Sequence, residues 1–425
     1  MPEADLLIHS ASQVLTLEGG PQRGQHLGAL GMIKNGGVAI TQGKISAVGP
    51  SDDLREQFKS TEVIDASGQV VMPGLIDPHT HLIWMGDRAQ EFEMRLQGAS
   101  YMEIMQAGGG IVSTVRQTRE ASVEQLKAEA RPRIRELIRH GTTTVEGKTG
   151  YGLQTEAELR MLQALLELDA ESTIEIVPTF LGAHAIPLEY KDDSDGYTRL
   201  MVEKMLPEVK RWWQQNAAGR GLPFVDVFCE TGAFNLQQSR AILEKAKALG
   251  FPLKIHADEF DGLGGTALAV ELGAVSADHL VKTPSADIAA LGGGDTVAVG
   301  LPCTPFGLAE SEYTPAQAIL EAGGTLALAS DLNPGTAWCG NMQFTIALAC
   351  RYMRLTPAQA IAASTINAAA ALACQDRIGS LEAGKQADIL LLEVPDYRHL
   401  GYRFGTNLVS KVMKSGKLVY PFEEV

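Results

Sequence analysis

The stretch Pro73-Gly74-Leu75-Ile76-Asp77-Pro78-His79-Thr80-His81-Leu82 completes an apolar run that starts at Val70 and ends in two histidines one residue apart. Alternate side chains of an extended chain share a face, so both imidazoles can reach a single ion. Similar short apolar runs recur downstream at Thr142–Glu146, Thr173–Leu181, Phe224–Glu230, Leu253–Ala257, Ser276–Val281, Thr296–Leu301 and Thr325–Ala329. Helix-length segments separate them, among them Ser122–Arg139, Glu156–Leu168, Gln237–Leu249 and Pro315–Glu321. With Val70–Leu82 as the first strand, this makes eight strand–helix units over about 260 residues, the size of a closed (β/α)8 barrel. An open, doubly wound parallel sheet is the alternative.

Both ends of the chain read differently. Asp5–Leu17, Gly37–Val48 (folding back at Gln42-Gly43-Lys44) and Glu62–Ile64 are short alternating strands. After the alanine-rich helical segment Pro357–Cys374, strand-like sequence returns at Ala387–Glu393 and at Leu408–Tyr420, which turns at Lys414-Ser415-Gly416-Lys417. The expected α/β architecture is a TIM-like barrel over residues 71–375 with a small β-sandwich built from residues 1–70 and 376–425. A chain of 425 residues is long enough for one large domain and an accessory one.

Composition narrows the function classes. Hydrophobic residues at 45% and charged residues at 20% supply a sizeable core and exclude wholesale disorder. The 36 Lys+Arg against 51 Asp+Glu give a net charge of −15, which repels nucleic-acid phosphates and anionic membrane surfaces, so neither is an expected partner. The same field repels a small anion, which a local cation must then hold. The cysteines, Cys229, Cys303, Cys339, Cys350 and Cys374, are odd in number and form no CxxC pair, which predicts reduced thiols and a cytoplasmic location. No long apolar run is present and the first cationic residue is Arg23, so neither a membrane span nor a signal peptide is expected. Trp212-Trp213 reads as packing or a subunit contact, and paired helices with an apolar barrel exterior make a homodimer the expected assembly.

Chemistry-bearing residues fall where a barrel would gather them. His256 ends the fifth expected strand, His279 the sixth, and Asp331 follows the eighth; all would face the mouth where barrel enzymes keep their active sites. His79, His81, His184, His256 and His279 all lie at or just after strand ends, and this convergence, more than any single residue, points to a metal. Glu259, three residues past His256, is placed to move a proton, and Arg88, a short loop past the histidine pair, to grip a carboxylate in bidentate fashion. Gly379–Lys385 has the spacing of a phosphate-binding loop, but Gln386 replaces the required Ser/Thr and a strand follows. Lys148 reads as a solvated or locally hydrogen-bonded lysine, and Gly108-Gly109-Gly110 as a mobile loop over the mouth or a simple turn.

These residues carry a resemblance. The 73–82 stretch, with His256-Ala257-Asp258-Glu259, Ser330-Asp331 and Gly379-Ser380-Leu381-Glu382-Ala383-Gly384-Lys385-Gln386-Ala387-Asp388, resembles the amidohydrolase superfamily over nearly the whole chain. Within it, Glu91-Phe92-Glu93-Met94-Arg95-Leu96-Gln97-Gly98, Ile104-Met105-Gln106-Ala107-Gly108-Gly109-Gly110-Ile111 and Lys148-Thr149-Gly150-Tyr151-Gly152-Leu153 are similar to the branch that opens the ring of 4-imidazolone-5-propanoate in histidine degradation. The resemblance implies that His79, His81, His256 and Asp331 bind one metal ion per subunit, Zn2+ or Fe3+/Fe2+, with room for a water made acidic by the cation and no carbamylated lysine. It implies that Glu259 contacts a ring nitrogen and transfers a proton, that His279 polarises the attacked carbonyl or takes the water's proton, and that Asp331 is a further candidate for that proton. Arg88, Tyr151 and His184 would bind the anionic imidazolone, with Asn333, Gly335 and Thr336 as loop contacts, although Asn-Pro-Gly is equally a turn signature. The implied reaction is hydrolysis of the cyclic amide C–N bond to N-formimino-L-glutamate.

Two other readings stand beside it. Related amidohydrolases use the same mononuclear set to deaminate a guanine- or cytosine-like ring; ammonia release would separate the two, and Arg88 speaks against a substrate that needs no cation. A barrel that had lost catalysis and served as an interaction protein would lack ligands, whereas every ligand position is filled here.

Overall fold

The computed structural model describes residues 2–98 and 109–422. Strand β1 (Glu3–Leu15) is 13 residues long and serves three partners. It pairs antiparallel with β2 (Met32–Thr41), which turns at Gln42-Gly43 into β3 (Lys44–Pro50). A bulge between Ile8 and Ala11, with Ser10 at φ 58°, bends it. Before the bend it pairs in parallel with β4 (Lys59–Asp65); after it, with β5 (Val70–Pro73). A bulge of this kind lets one strand contribute to both faces of a folded sheet.

The barrel follows as β6 (Leu75–Asp77), β7 (Thr142–Lys148), β8 (Glu175–Ala183), β9 (Phe224–Cys229), β10 (Lys254–Ala257), β11 (Ser276–His279), β12 (Val297–Gly300) and β13 (Thr325–Leu328), each parallel to the next. Helices such as Val123–Arg139, Thr155–Glu171 and Leu236–Ala248 return the chain between them, the first and last opened by capping boxes at Ser122/Gln125 and Asn235/Gln238. The first and eighth strands are joined by the residues just beyond them. Thr80 pairs in parallel with Leu332, the Asp331 amide donates to the His79 carbonyl (3.1 Å), and the His81 amide to that of Leu332 (2.9 Å). This is the barrel expected from the eight apolar runs, not the open sheet.

The chain then returns to the first sheet. Strand β14 (Ile389–Leu392) lies antiparallel between β5 and β15 (Val409–Lys414), and β16 (Lys417–Tyr420) completes a hairpin through Ser415-Gly416. Leu6, Ile8, Val14, Val38 and Ile40 from the N-terminal strands share one apolar core with Ile389, Leu391 and Met413 from the C-terminal ones.

Two expected elements are divided. The run Val70–Leu82 is two short strands in different sheets, because Gly74 turns the chain from one to the other: its amide donates to the Asp388 carbonyl (2.9 Å), and a Cβ there would lie 2.2 Å from Thr143 Oγ1. The segment Pro357–Cys374 is two helices, Pro357–Ala363 and Ile366–Ala370. The Thr365 hydroxyl bonds back to the Ile361 carbonyl (2.7 Å) at the break, a local bond that competes with helix continuation. Among the described residues no helix is long and apolar enough to cross a membrane.

Candidate active site

His79 and His81 lie beyond the end of β6 and not within it, yet the pairing with Asp331–Leu332 keeps that segment extended and brings both imidazoles inward. His79 Nε2 and His81 Nε2 stand 3.4 and 3.5 Å from Asp331 Oδ1. The ligand atoms of His79, His81 and Asp331 lie within 4.8 Å of one another, as do those of His79, His256 and His279. All five side chains are buried. His79 Nε2, His256 Nε2 and Asp331 Oδ1 make no hydrogen bond among the described residues. Buried polar atoms left in that condition are costly, and imidazole nitrogens converging on a carboxylate are what a zinc- or iron-type cation requires. His279 at φ 77° and Asp331 at φ 56° occupy the left-handed region that residues with a Cβ seldom adopt, strain that concentrates at functional strand ends. Burial opposes the charge of Asp331, but the adjacent His79 and His81 hold its carboxyl well below the ordinary value.

Beneath this cluster the barrel interior is charged. Glu146 and Lys148 on β7, Asp226 on β9, Lys254 on β10 and Asp278 on β11 are all fully buried. Lys148 Nζ lies 2.7 Å from Asp226 and 3.0 Å from Glu146, and Lys254 Nζ donates to Glu146 (2.9 Å) and to the Pro78 carbonyl (2.8 Å). Lys148 is therefore hydrogen-bonded but not solvated. Burial works against its ammonium, while Asp226 and Glu146 raise its pKa above the ordinary value. Asp278 Oδ2 lies 2.6 Å from His79 Nδ1, and Asp226 Oδ2 3.0 Å from His256 Nδ1. A carboxylate on one ring nitrogen fixes the imidazole so that the other faces the cluster. Sequence reasoning missed both carboxylates. The available signal was an acidic residue inside an apolar strand, a position seldom occupied without a partner.

Above the cluster opens a cavity of about 520 Å³. Its floor is made by His81, His256, His279 and Asp331, and its walls by Arg88, Tyr151, His184, Glu259, Asn333, Gly335 and Thr336, with Ile111, Phe228 and Phe260 as apolar surface. Of the residues singled out from the sequence, only His79 lies below this lining. Burial, with Asp331 and Glu230 nearby, pushes the Glu259 carboxyl well above its ordinary value, and its Oε2 stands 3.6 Å from His279 Nδ1. Burial lowers His279 to about 4 and His184 to about 3, so both are neutral imidazoles near pH 7. His184 stacks on His81 with ring centroids 4.8 Å apart, its Nδ1 2.9 Å from the Gly150 carbonyl. Burial also raises the Tyr151 phenol.

The loop after Asp331 is braced from within. Asn333 Oδ1 accepts from the amides of Gly335 (2.8 Å) and Thr336 (2.9 Å), and Asn333 Nδ2 donates to the Asp331 carbonyl (2.7 Å) and Thr336 Oγ1 (2.9 Å). Asn333 thus lines the cavity while its amide serves the turn that Asn-Pro-Gly signals. Residues 104–108 of the string Ile104–Ile111, including the first of the three glycines, lie outside the described residues. Gly110, at φ 74°, precedes helix Ile111–Glu120.

A parallel barrel carrying buried imidazoles and a carboxylate under an open mouth defines an amidohydrolase, and the sequence model of the amidohydrolase family matches residues 70–419. The chain belongs to that family and, within it, to the imidazolonepropionases. It is 53% identical to the imidazolonepropionase of Herpetosiphon aurantiacus, over 99% of this chain and 98% of that protein. It is 48% identical to the imidazolonepropionase of Chloroflexus aggregans, over 99% of each. Among solved structures it superimposes on an adenosine deaminase from Xanthomonas campestris with bound zinc, with a TM-score of 0.72 at 20% identity over 98% of this chain and 93% of that one. At that identity the likeness concerns the fold alone.

Proposed function

We propose that this chain hydrolyses the ring amide C–N bond of 4-imidazolone-5-propanoate to give N-formimino-L-glutamate. The observation that carries the reading is a single cavity with unpartnered imidazoles and a carboxylate at its floor and the Arg88 cation in its wall, in a chain about half identical to imidazolonepropionases. His79, His81, His256 and Asp331 would hold one zinc or iron ion. Such a cation lowers the pKa of water toward neutrality and polarises a carbonyl.

The remaining roles belong to the protein's side chains. Arg88 and Tyr151 hold the propanoate tail and so retain the substrate in the cavity, and the neutral His184 lines the wall beside them. His279 faces the ring carbonyl and stabilises the oxygen that gains charge as the carbonyl is attacked. Asp331 accepts the proton that the attacking water gives up, and Glu259, whose burial favours its protonated form, delivers the one that the ring nitrogen needs as the C–N bond breaks. Asn333 holds the loop that carries Gly335 and Thr336 at the rim. A neutral nucleobase would leave Arg88 facing no anion, so the deaminase reading gains no support from the cavity. We further propose a barrel domain over residues 71–375 and a cytoplasmic homodimer.

The test is incubation of the metal-loaded protein with 4-imidazolone-5-propanoate, following loss of the ring's ultraviolet absorbance and identifying the product. Formation of N-formimino-L-glutamate is expected. No turnover there, with ammonia released from guanine or cytosine, would overturn the reading.

A further inference from the structure

The cation in the cavity wall is held by residues remote from the reacting centre. Arg88 Nε donates to the hydroxyl of Thr114 at 3.1 Å, and Thr114 is buried on helix Ile111–Glu120. That bond engages the inner nitrogen of the guanidinium and leaves the terminal pair to meet a carboxylate. Among the described residues no carboxylate of the protein lies within ion-pair distance of Arg88. On its other side the guanidinium rests against Gly335, where a Cβ would stand 2.5 Å from Arg88 Nη1. Gly335 is itself fixed: its carbonyl accepts from Arg95 Nη2 (3.1 Å), and its amide donates to Asn333, whose side chain bonds the Asp331 backbone. Short contacts therefore run without a gap from Asp331 at the floor, through Asn333 and Gly335, to Arg88 and on to Thr114.

We propose that Thr114 and Gly335 are positioning residues: together they fix the Arg88 guanidinium at a set distance from Asp331 and so determine the length of carboxylate tail the enzyme accepts. The inference rests on the reading of Arg88 as the carboxylate grip. Thr114 supplies the acceptor that orients the guanidinium, and Gly335 supplies the space into which it fits. Removing the acceptor loosens the grip without touching the reacting atoms, so substrate capture suffers and turnover at saturation does not.

The experiment compares Thr114→Val, Thr114→Ser, Gly335→Ala and Arg88→Met in the metal-loaded enzyme. The substrates are 4-imidazolone-5-propanoate and its acetate homologue, one methylene shorter. Thr114→Val is expected to raise KM for the propanoate about tenfold, the worth of one bond to a charged group, with kcat within about twofold, and Thr114→Ser to restore it. Gly335→Ala is expected to cut the preference for propanoate over acetate by about fivefold or more through displacement of Arg88. If Arg88→Met raises KM and Thr114→Val does not, the positioning role is overturned while the Arg88 grip stands. If Arg88→Met also leaves KM unchanged, the grip itself is wrong. A Thr114→Val defect that falls on kcat, or that serine fails to rescue, would mark Thr114 as merely structural. An equal loss for both tails in Gly335→Ala would remove the length-setting role, and the Thr114 pair remains decisive should Gly335→Ala fail to fold.

Discussion

At the scale of single residues, the site divides into groups that act on substrate and groups that aim them. Glu259 is the clearest of the first kind, a buried carboxyl whose environment favours its protonated form. Glu259→Gln keeps its shape and removes the transferable proton, so kcat should fall by about 10²- to 10⁴-fold while KM changes little. Steady-state kinetics on the imidazolone checks this, and a change confined to KM would contradict it. Asp278 is of the second kind, 2.6 Å from His79 Nδ1. Asp278→Asn should weaken metal retention by about 10- to 100-fold, read as faster metal loss to a chelator. Metal retained as in the parent would mean that His79 needs no such support. The sequence made the histidines legible because they recur at strand ends. It hid Asp226 and Asp278, because their partners stand on other segments, His256 on β10 for Asp226 and His79 beyond β6 for Asp278, and no spacing along one strand reveals that.

At the scale of elements, strand number and order could be read from apolar runs alone, while their exact ends could not. Gly74 shows why: the same apolar text serves two sheets, and only contact with Thr143 and Asp388 divides it. Joints between the barrel and the terminal sheet are likewise set by long-range partners. Glu175, which opens β8, meets Arg377 (2.6 Å) and, at 3.6 Å, Lys414 on β15. Burial raises the cost of its charge, but those two cations hold its pKa below the ordinary 4.5. A carboxyl depressed in the folded state contributes stability that is present above its unfolded pKa and lost as pH falls through its folded one. Glu175→Gln should therefore cost about 1 kcal/mol near pH 7, with the deficit shrinking as the pH falls below about 4.5. Urea unfolding of both proteins across that range is the measurement, and a deficit independent of pH would exclude a titrating ion pair.

At the scale of the whole molecule, a chain of net charge −15 must admit an anion. The long-range field opposes the propanoate, and Glu310 lines a cavity that shares Glu259 and His279 with the site, where Glu312 is paired with Lys282 (2.7 Å). Arg88 acts at contact distance inside a half-buried wall. Salt discriminates between these terms because the screening length falls from about 30 Å at 0.01 M to about 10 Å at 0.1 M, short enough to mask distant charges but longer than a bonded pair. Raising ionic strength should thus remove more repulsion than attraction. Over that range kcat/KM for the propanoate should rise by about two- to fivefold with kcat unchanged, whereas a neutral methyl ester should show no trend. A fall in kcat/KM with added salt would mean that cations near the mouth outweigh the overall charge. The anion would then be drawn in from a distance and not merely captured on arrival.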